Sequence, residues 1–193
     1  MSTEELAMAD VVAGRLHMGR PVSRRSDAAL VRAAQGGSAD AIDELFRRHW
    51  PAAHRAAWLV VHDAAAAEDI AQEAFLSALR ALDRFDRRRP FGPWLHRIVI
   101  NRAIDWSRAR ALRREVEASA ESPAADRAEG NLGMRDELDT ALASLSPERR
   151  AVVVLRYVLG YTPGEIADLL ELPRGTVNSR LRRALDRMGE ALR

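Results

Sequence analysis

The chain has 193 residues, of which 47% are apolar and 30% charged, with a formal net charge of +2. This balance fits a soluble globular protein of one or two modest domains and excludes a disordered chain. There is no cysteine, which rules out disulfides, thiolate metal sites and a cysteine nucleophile.

The five histidines, at positions 17, 49, 54, 62 and 96, form no ligand cluster in sequence, so no metal or other cofactor is expected. No run of about 18 apolar residues marks a membrane span, and no membrane insertion is expected. The N-terminus opens with Glu4 and Glu5 and lacks the basic, apolar and small-residue order of a secretory signal. A cytoplasmic location is the expectation.

The charge is unevenly spread. Asp63 to Asp83 holds five acids and one arginine, and Arg84 to Arg114 holds ten arginines and two aspartates. Glu115 to Thr140 is acidic again, and Arg174 to Arg193 has six arginines against two acids. Two basic blocks separated by an acidic one suggest two polyanion-binding faces. All 30 basic residues are arginine, a side chain suited to bidentate contact with phosphate and guanine, although codon usage in an Ala/Arg-rich genome contributes to this.

In chain order, residues 1–26 lack sustained periodicity and read as a mobile N-terminal extension. Residues 27–114 are helical in pattern, with breaks at Gly36-Gly37, His62-Asp63 and Arg84–Pro93. On the first long helix Ile42, Leu45, Phe46, Trp50 and Ala53 mark an apolar face, and Pro51 within it predicts a kink or interruption.

The next helix, about Ala64 to Leu82, gathers Ile70, Ala71, Ala74, Phe75, Ala78, Leu79 and Leu82 on one half of its wheel. The other half holds Asp69, Gln72, Glu73 and Arg80, together with Leu76. An apolar residue centred on an acidic face suggests docking; the plain alternative is a scattered surface leucine.

The segment "RFDRRRPFGPWLHRIVINRAIDWSRARALRR" interleaves arginine with Phe85, Phe91, Trp94 and Trp106. That composition suits unpaired bases; the alternative is that the rings are core and the arginines merely solvated. On the helix predicted from about Trp94, Arg97, Asn101 and Arg108 share a stripe, with Asp105 beside it.

Residues 115–131 turn to Ala, Glu, Ser, Pro and Gly and read as an acidic linker. Residues 132–193 are helical again, broken at Ser144–Pro147, Gly160–Pro163 and Leu172–Pro173. Ser146-Pro147 opens one helix, and Thr162-Pro163-Gly164-Glu165 reads as a capping box opening a short one. A turn at Glu171–Pro173 then leads into "RGTVNSRLRRA". Short helix, turn and second helix is a helix-turn-helix, whose second helix enters the major groove.

With Val177 at zero and about 100° per residue, Leu181, Ala184, Leu185 and Met188 form a buried stripe, while Asn178, Ser179, Arg182 and Arg183 point away. Those types suit base edges, and Arg174 and Thr176 near the helix start suit phosphate. An ordinary solvated Arg-rich helix is the alternative. The fold class expected is all-α, with two helical domains joined by a flexible linker.

Three segments in order resemble bacterial sigma factors of the extracytoplasmic-function type. "AEDIAQEAFLSALRALDRFD" resembles the polymerase-binding segment of sigma region two, and "PFGPWLHRIVINRAIDWSRARALRR" the promoter-melting and minus-ten segment. "LSPERRAVVVLRYVLGYTPGEIADLLELPRGTVNSRLRRALDRM" resembles sigma region four, which binds the minus-thirty-five element.

The resemblance implies a transcription initiation factor without catalysis of its own. It implies that Asp69, Gln72, Glu73 and Leu76 meet the clamp helices of the largest subunit of core RNA polymerase, and that the second-largest-subunit flap is a further partner. Asn101 matches a pocket residue for a flipped base, and the loop Arg84–Pro93, with Arg88 and Phe91, the specificity loop around it. Arg97 and Arg108 belong to the same minus-ten set. Arg174, Thr176, Asn178, Ser179, Arg182 and Arg183 match the minus-thirty-five face. Double- and single-stranded promoter DNA and an anti-sigma factor are the other partners implied, and no fused C-terminal module is expected.

Two rival readings are a stand-alone helix-turn-helix regulator and a helical hydrolase or carboxylate-metal protein. The first leaves the acidic face and the Arg/aromatic segment unexplained. The second lacks an ExxH pair, a His/Asp cluster or a Gly-rich phosphate loop.

Overall fold

The computed structural model describes residues 25–118 and 134–191. The expected N-terminal extension lies outside the described residues except for its last two positions, and so does most of the expected linker. The described residues contain helices and turns and no strand.

The described residues of the N-terminal half form α1 (Asp27–Gln35), α2 (Ala39–Val61), α3 (Ala64–Ala81) and α4 (Phe91–Ala118). A 3₁₀ turn, Leu82–Arg84, closes α3. The C-terminal half has α5 (Met134–Ala143), α6 (Pro147–Val153), α7 (Pro163–Leu170) and α8 (Arg174–Ala191).

Local sequence explains where the helices begin. Ser26 and Ser38 each accept the amide N–H three residues on, at 3.3 Å, to open α1 and α2. Asp63 does the same for α3, accepting from Ala66 N at 3.0 Å. Thr162 and Glu165 close a reciprocal capping box on α7, with the Thr162 N–H to Glu165 Oε2 bond at 2.8 Å. Each cap satisfies an amide that the helix itself leaves without a partner.

Three elements differ from expectation. Helix α2 continues through Pro51 without interruption. Rings bracket that position, with Phe46 stacked on Trp50 at 4.9 Å and Trp50 on His54 at 5.7 Å, and Leu45, Ala53, Ala56 and Ala57 of the same helix are buried. Helix α4 starts at Phe91 rather than Trp94, with Pro93 within its first turn, where no intrahelical amide bond is required. Its far end reaches Ala118, so the helix runs into the segment expected to be linker. Helix α6 widens into a π turn over Val154–Val158, where the N–H of Leu159 reaches back to the carbonyl of Val154 at 3.1 Å. Val154 and Leu155 stay fully buried there, while Tyr157 is 59% exposed.

The two halves share one apolar core. Helix α6 packs on α2 and α4, and α7 packs on α4. Arg150 on α6 is the polar centre of this junction and is only 8% exposed. Its Nε donates to Leu142 O at 2.8 Å, and its Nη2 donates to Ala143 O and Leu145 O, each at 3.0 Å. Its Nη1 donates across the junction to Val60 O and lies 3.1 Å from His62 Nδ1. One guanidinium therefore satisfies carbonyls at the end of α5 and the end of α2 together.

Burial and the nearby Arg150 charge push His62 down to about 4, which keeps Nδ1 neutral and able to accept. On α4, burial and then His49 push His96 down to about 4, and its Nδ1 is 2.7 Å from the Tyr161 hydroxyl of the C-terminal half. Burial, followed by Glu165, raises Tyr161 to about 12, so the phenol stays protonated. Two half-exposed ion pairs complete the junction, Arg97–Glu171 at 2.6 Å and Arg108–Glu148 at 2.7 Å.

Replacing Arg150 by Met removes the donors and leaves buried carbonyls unsatisfied. The expected loss is on the order of 3 kcal/mol of unfolding free energy, measured by urea titration, with Arg150→Lys intermediate because it has fewer donors. A loss under about 0.5 kcal/mol would contradict the junction role.

The histidines make stability depend on pH. Folded His62 and His96 titrate near 4, below the ordinary 6.5, so the unfolded chain binds more protons between those values. Their contribution is complete above pH 6.5 and is lost as pH falls toward 4. The melting midpoint should therefore fall between pH 6.5 and 5, before ordinary carboxylates protonate. A His62→Gln/His96→Gln variant should flatten that slope, and an unchanged slope would refute the assignment.

Candidate nucleic-acid interface

The outward side of α3 carries Glu68, Asp69, Gln72 and Glu73, all exposed, with Leu76 half-buried at its edge and outside the core cluster. Asp69 and Glu73 line a cleft of about 310 Å³ that is completed by Ala66, Ile70, Arg102, Asp105 and Trp106. Arg102 crosses from α4 to pair with Glu73 at 2.6 Å and donates to Ser77 Oγ at 2.7 Å. Arg110 lies over the Trp106 ring at 4.9 Å and pairs with the capping Asp63, whose carboxyl is held below the usual range by the Ala66 N–H and then by Arg110. The acidic face is thus fixed by arginines of the neighbouring helix.

Between α3 and α4 the chain turns through Arg84, Asp86, Arg87, Arg88 and Arg89, all exposed. Asp86 organises this loop. Its Oδ1 accepts from the Arg88 N–H at 3.0 Å, and its two carboxylate oxygens accept from the Arg88 guanidinium. That pairing holds the Asp86 carboxyl below the usual range.

Phe91 departs from its expected role as a DNA-facing ring. It is 4% exposed and sits among Trp94 at 5.7 Å, Phe85 at 6.0 Å and His49 at 5.2 Å. Helix geometry gives the reason: Phe91, Leu95, Val99 and Ala103 recur every four residues and form the buried stripe of α4. Trp94 is partly buried and packs on Phe85 at 4.4 Å.

On the opposite side of α4, Asn101 is exposed. Its stripe neighbours are engaged by the C-terminal half, Arg97 by Glu171 and Arg108 by Glu148. Of the expected minus-ten set, Arg97, Asn101 and Arg108 thus share one side of α4, with both arginines paired across the junction, while Arg88 lies in the loop before the helix and Phe91 in the core. Neither carboxylate is recognisable as a partner in sequence, since Glu148 and Glu171 lie 40 and 74 positions away.

Helix α8 is open by contrast. Val177, Leu181, Ala184 and Met188 are buried. Leu185, expected on that stripe, is 45% exposed; it lies at the stripe's margin, about 80° from Val177, where α5 to α7 do not cover it. Asn178, Arg182 and Arg183 are exposed, and their side chains make no hydrogen bond or ion pair with other described residues. Ser179 is half-buried, and its hydroxyl donates to Thr176 O at 2.9 Å, so its lone pairs remain for a ligand. Thr176 is half-buried and Arg174 exposed at the helix start, with the Arg174 guanidinium beside Gly164 of α7.

The junction residues Arg150, Glu148, Glu171 and Tyr161 were not legible as functional positions. Nothing in "SPERRAVV" separates the buried Arg150 from the half-buried Arg149 beside it. Among the described residues no three His, Asp or Glu side chains group as a metal site, and no helix is long and apolar enough to cross a membrane.

Comparison with known proteins gives a consistent picture. The family described as "Sigma-70 region 2" matches residues 45–113, and "Sigma-70, region 4" matches residues 135–188. The ECF RNA polymerase sigma factor SigM of Mycobacterium tuberculosis is 38% identical over 170 residues, covering 87% of this chain and 85% of that protein. The RNA polymerase sigma-H factor of Pseudomonas aeruginosa is 32% identical, covering 89% of this chain and 96% of that one.

Among solved structures, CnrH in complex with the cytosolic domain of CnrY superposes with a TM-score of 0.65 at 30% identity, over 86% of this chain and 96% of that chain. The sigma factor RpoE in complex with the anti-sigma factor NepR from Bartonella quintana gives 0.61 at 28% identity, over 78% and 95%. With region 2 and region 4 matched in order and relatives covered nearly from end to end, the chain belongs to the extracytoplasmic-function sigma factors, which direct RNA polymerase to promoters for transcription initiation.

Proposed function

We propose a division of labour among three surfaces of this sigma factor. The acidic face of α3, with Asp69, Gln72, Glu73 and Leu76, docks on the clamp helices of core RNA polymerase. The loop after α3, with Arg88, and the α4 side carrying Arg97, Asn101 and Arg108 receive the unwound minus-ten strand. Helix α8 reads the minus-thirty-five element through Asn178, Ser179, Arg182 and Arg183, with Arg174 and Thr176 on phosphate. The flap of the second-largest subunit and an anti-sigma factor are further partners in this reading. It assigns no catalytic step to the chain itself.

The observation that carries the reading is the two-sided character of α8. One face is buried at Val177 and Leu181, and the other presents Asn178, Arg182 and Arg183 without a partner among the described residues. Guanidinium and carboxamide groups left unpaired on a helix-turn-helix suit guanine and adenine edges. A stand-alone regulator would use the same helix but would have no use for a region 2 fold.

In this reading the α4 side reaches DNA after the halves part. Arg97 and Arg108 now face carboxylates where phosphates would lie. Half-exposed pairs of this kind contribute at most about 1 kcal/mol each, so a polyanion competes for both cations effectively.

Leu76→Arg should weaken binding to core polymerase by about 2 kcal/mol or more, the loss typical of a desolvated anchor. Titration of core enzyme measures it, and far-ultraviolet circular dichroism should remain helical. Unchanged affinity in a folded variant would remove α3 from the interface.

Arg183→Ala should relax preference at one base pair of the minus-thirty-five element, by about 1–3 kcal/mol of discrimination. Arg174→Ala should instead weaken every sequence alike and reduce the salt slope by about 1. Binding to single-base variants at several salt concentrations separates the two. A uniform effect of Arg183→Ala, or a changed base preference with Arg174→Ala, would contradict this placement of the helix.

A further inference from the structure

The arginine loop between α3 and α4 is held from the end of α1. Gln35 is the last residue of α1, just before Gly36-Gly37. Its Nε2 donates to Leu82 O at 2.8 Å and to Phe85 O at 3.1 Å. Its Oε1 accepts from Arg87 Nε. One planar amide thus touches the loop at its entry, its bend and its first exposed guanidinium of the Arg87–Arg89 run.

The carbonyls it serves need such a donor. Leu82 begins the 3₁₀ turn at the end of α3, where the helix ladder stops and carbonyls lose their partners. The Leu82 carbonyl already accepts one bond, from Phe85 N at 3.0 Å, and Gln35 fills its second lone pair. On the other side of the loop Phe85 is pinned by Trp94 at 4.4 Å. Phe85 is therefore held at its carbonyl by Gln35 and at its ring by Trp94, while Asp86 holds Arg88 beyond it.

Only an amide of this length supplies two donors and an acceptor from one plane. A Glu keeps the acceptor for Arg87 but turns oxygen toward two carbonyls. A Lys keeps donors for the carbonyls but repels Arg87. A Met fills the space and keeps neither.

We propose that Gln35 is a positioning residue for minus-ten base selection, acting through the Arg87–Arg89 loop from a helix that precedes the region 2 match at residue 45. It touches no DNA itself. It fixes the loop backbone, so that the guanidiniums of Arg88 and Arg89 and the Arg87 side chain meet an unpaired base in one arrangement. The inference rests on the reading that this loop meets the unwound strand, and its test separates the two.

The full-length protein is assembled with core polymerase. Run-off transcription is then measured from premelted promoters that differ at one minus-ten base, with holoenzyme saturating. Preference is taken as a ratio between bases, which is independent of the fraction of folded protein. Gln35→Met should reduce that ratio by about fivefold or more, the low end of what one well-placed contact supplies. Gln35→Lys should recover most of it through the carbonyl bonds, and Gln35→Glu should not. Affinity for core polymerase should remain within about twofold in all three, since the α3 face is untouched. An Arg88→Ala/Arg89→Ala variant is the companion arm.

If that variant changes the preference and Gln35→Met does not, the positioning role is overturned while the loop reading stands. If neither changes it, both are overturned. A uniform loss on every base with Gln35→Met, without a change in ratio, reduces Gln35 to a structural bond and also overturns the proposal.

Discussion

The closed form of this molecule depends on one guanidinium. Arg150 is almost fully buried, and its donors meet Leu142, Ala143 and Leu145 on its own side and Val60 on the other. A buried cation survives only when its donors are satisfied. Arg150 meets that condition with carbonyls rather than a carboxylate, using the negative ends of two helices. Burial lowers its pKa only to about 10, so the charge persists, and His62 must remain neutral beside it. Helix α6 cannot shift against α2 without breaking this set of bonds. The π turn that follows, the seating of α7 and the direction of α8 all stand downstream of that anchor.

The junction divides the cationic surface into an open part and a covered part. Helix α8 leaves Asn178, Arg182 and Arg183 without partners among the described residues, whereas Arg97 and Arg108 of α4 are paired across the junction. The two kinds of contact respond differently to solution conditions. The ion pairs are half-exposed and weaken with salt. The shared apolar core, the Arg150 bonds and the 2.7 Å contact between His96 and Tyr161 are shielded from it. Salt or a competing polyanion therefore loosens the edge of the junction before its centre.

Much of this was legible in the sequence, and the unread parts have a common cause. Helix starts were readable because their signals are local: Pro147 opens α6, although the expected Ser146 cap makes no side-chain capping bond, and Thr162 through Glu165 close a capping box within four residues. The buried stripe of α8 followed from 3.6-residue periodicity, apart from Leu185 at its margin. The resemblance assigns Phe91 to the specificity loop, and a helix beginning at about Trp94 leaves it there; the stripe of Phe91, Leu95, Val99 and Ala103 begins one turn earlier and takes the ring into the core. Beginning it after Pro90 would have put the ring in the core.

Arg150, Gln35 and the carboxylates Glu148 and Glu171 were invisible for a different reason. Each works through a partner dozens of positions away, and a side chain's distant partner leaves no period in its own neighbourhood. The shared core escaped notice likewise. Two amphipathic clusters predict two bodies, and nothing in either cluster states that their remaining apolar edges meet.

Two residues other than glycine hold the left-handed backbone conformation among the described residues, His62 at φ 52° and Glu171 at φ 54°. Both end helices, a place where glycine is the unstrained choice. Both also send the side chain over the junction, His62 toward Arg150 and Glu171 to Arg97. At these two positions local comfort and long-range contact are in opposition, and the chain has kept the contact. An effort to raise thermal stability by the usual exchange of a left-handed residue for glycine would relax each helix end and at the same time delete a tie between the halves. The variant would have better turns and a looser body. In this protein backbone strain is therefore a map: it marks where one half of the molecule reaches for the other.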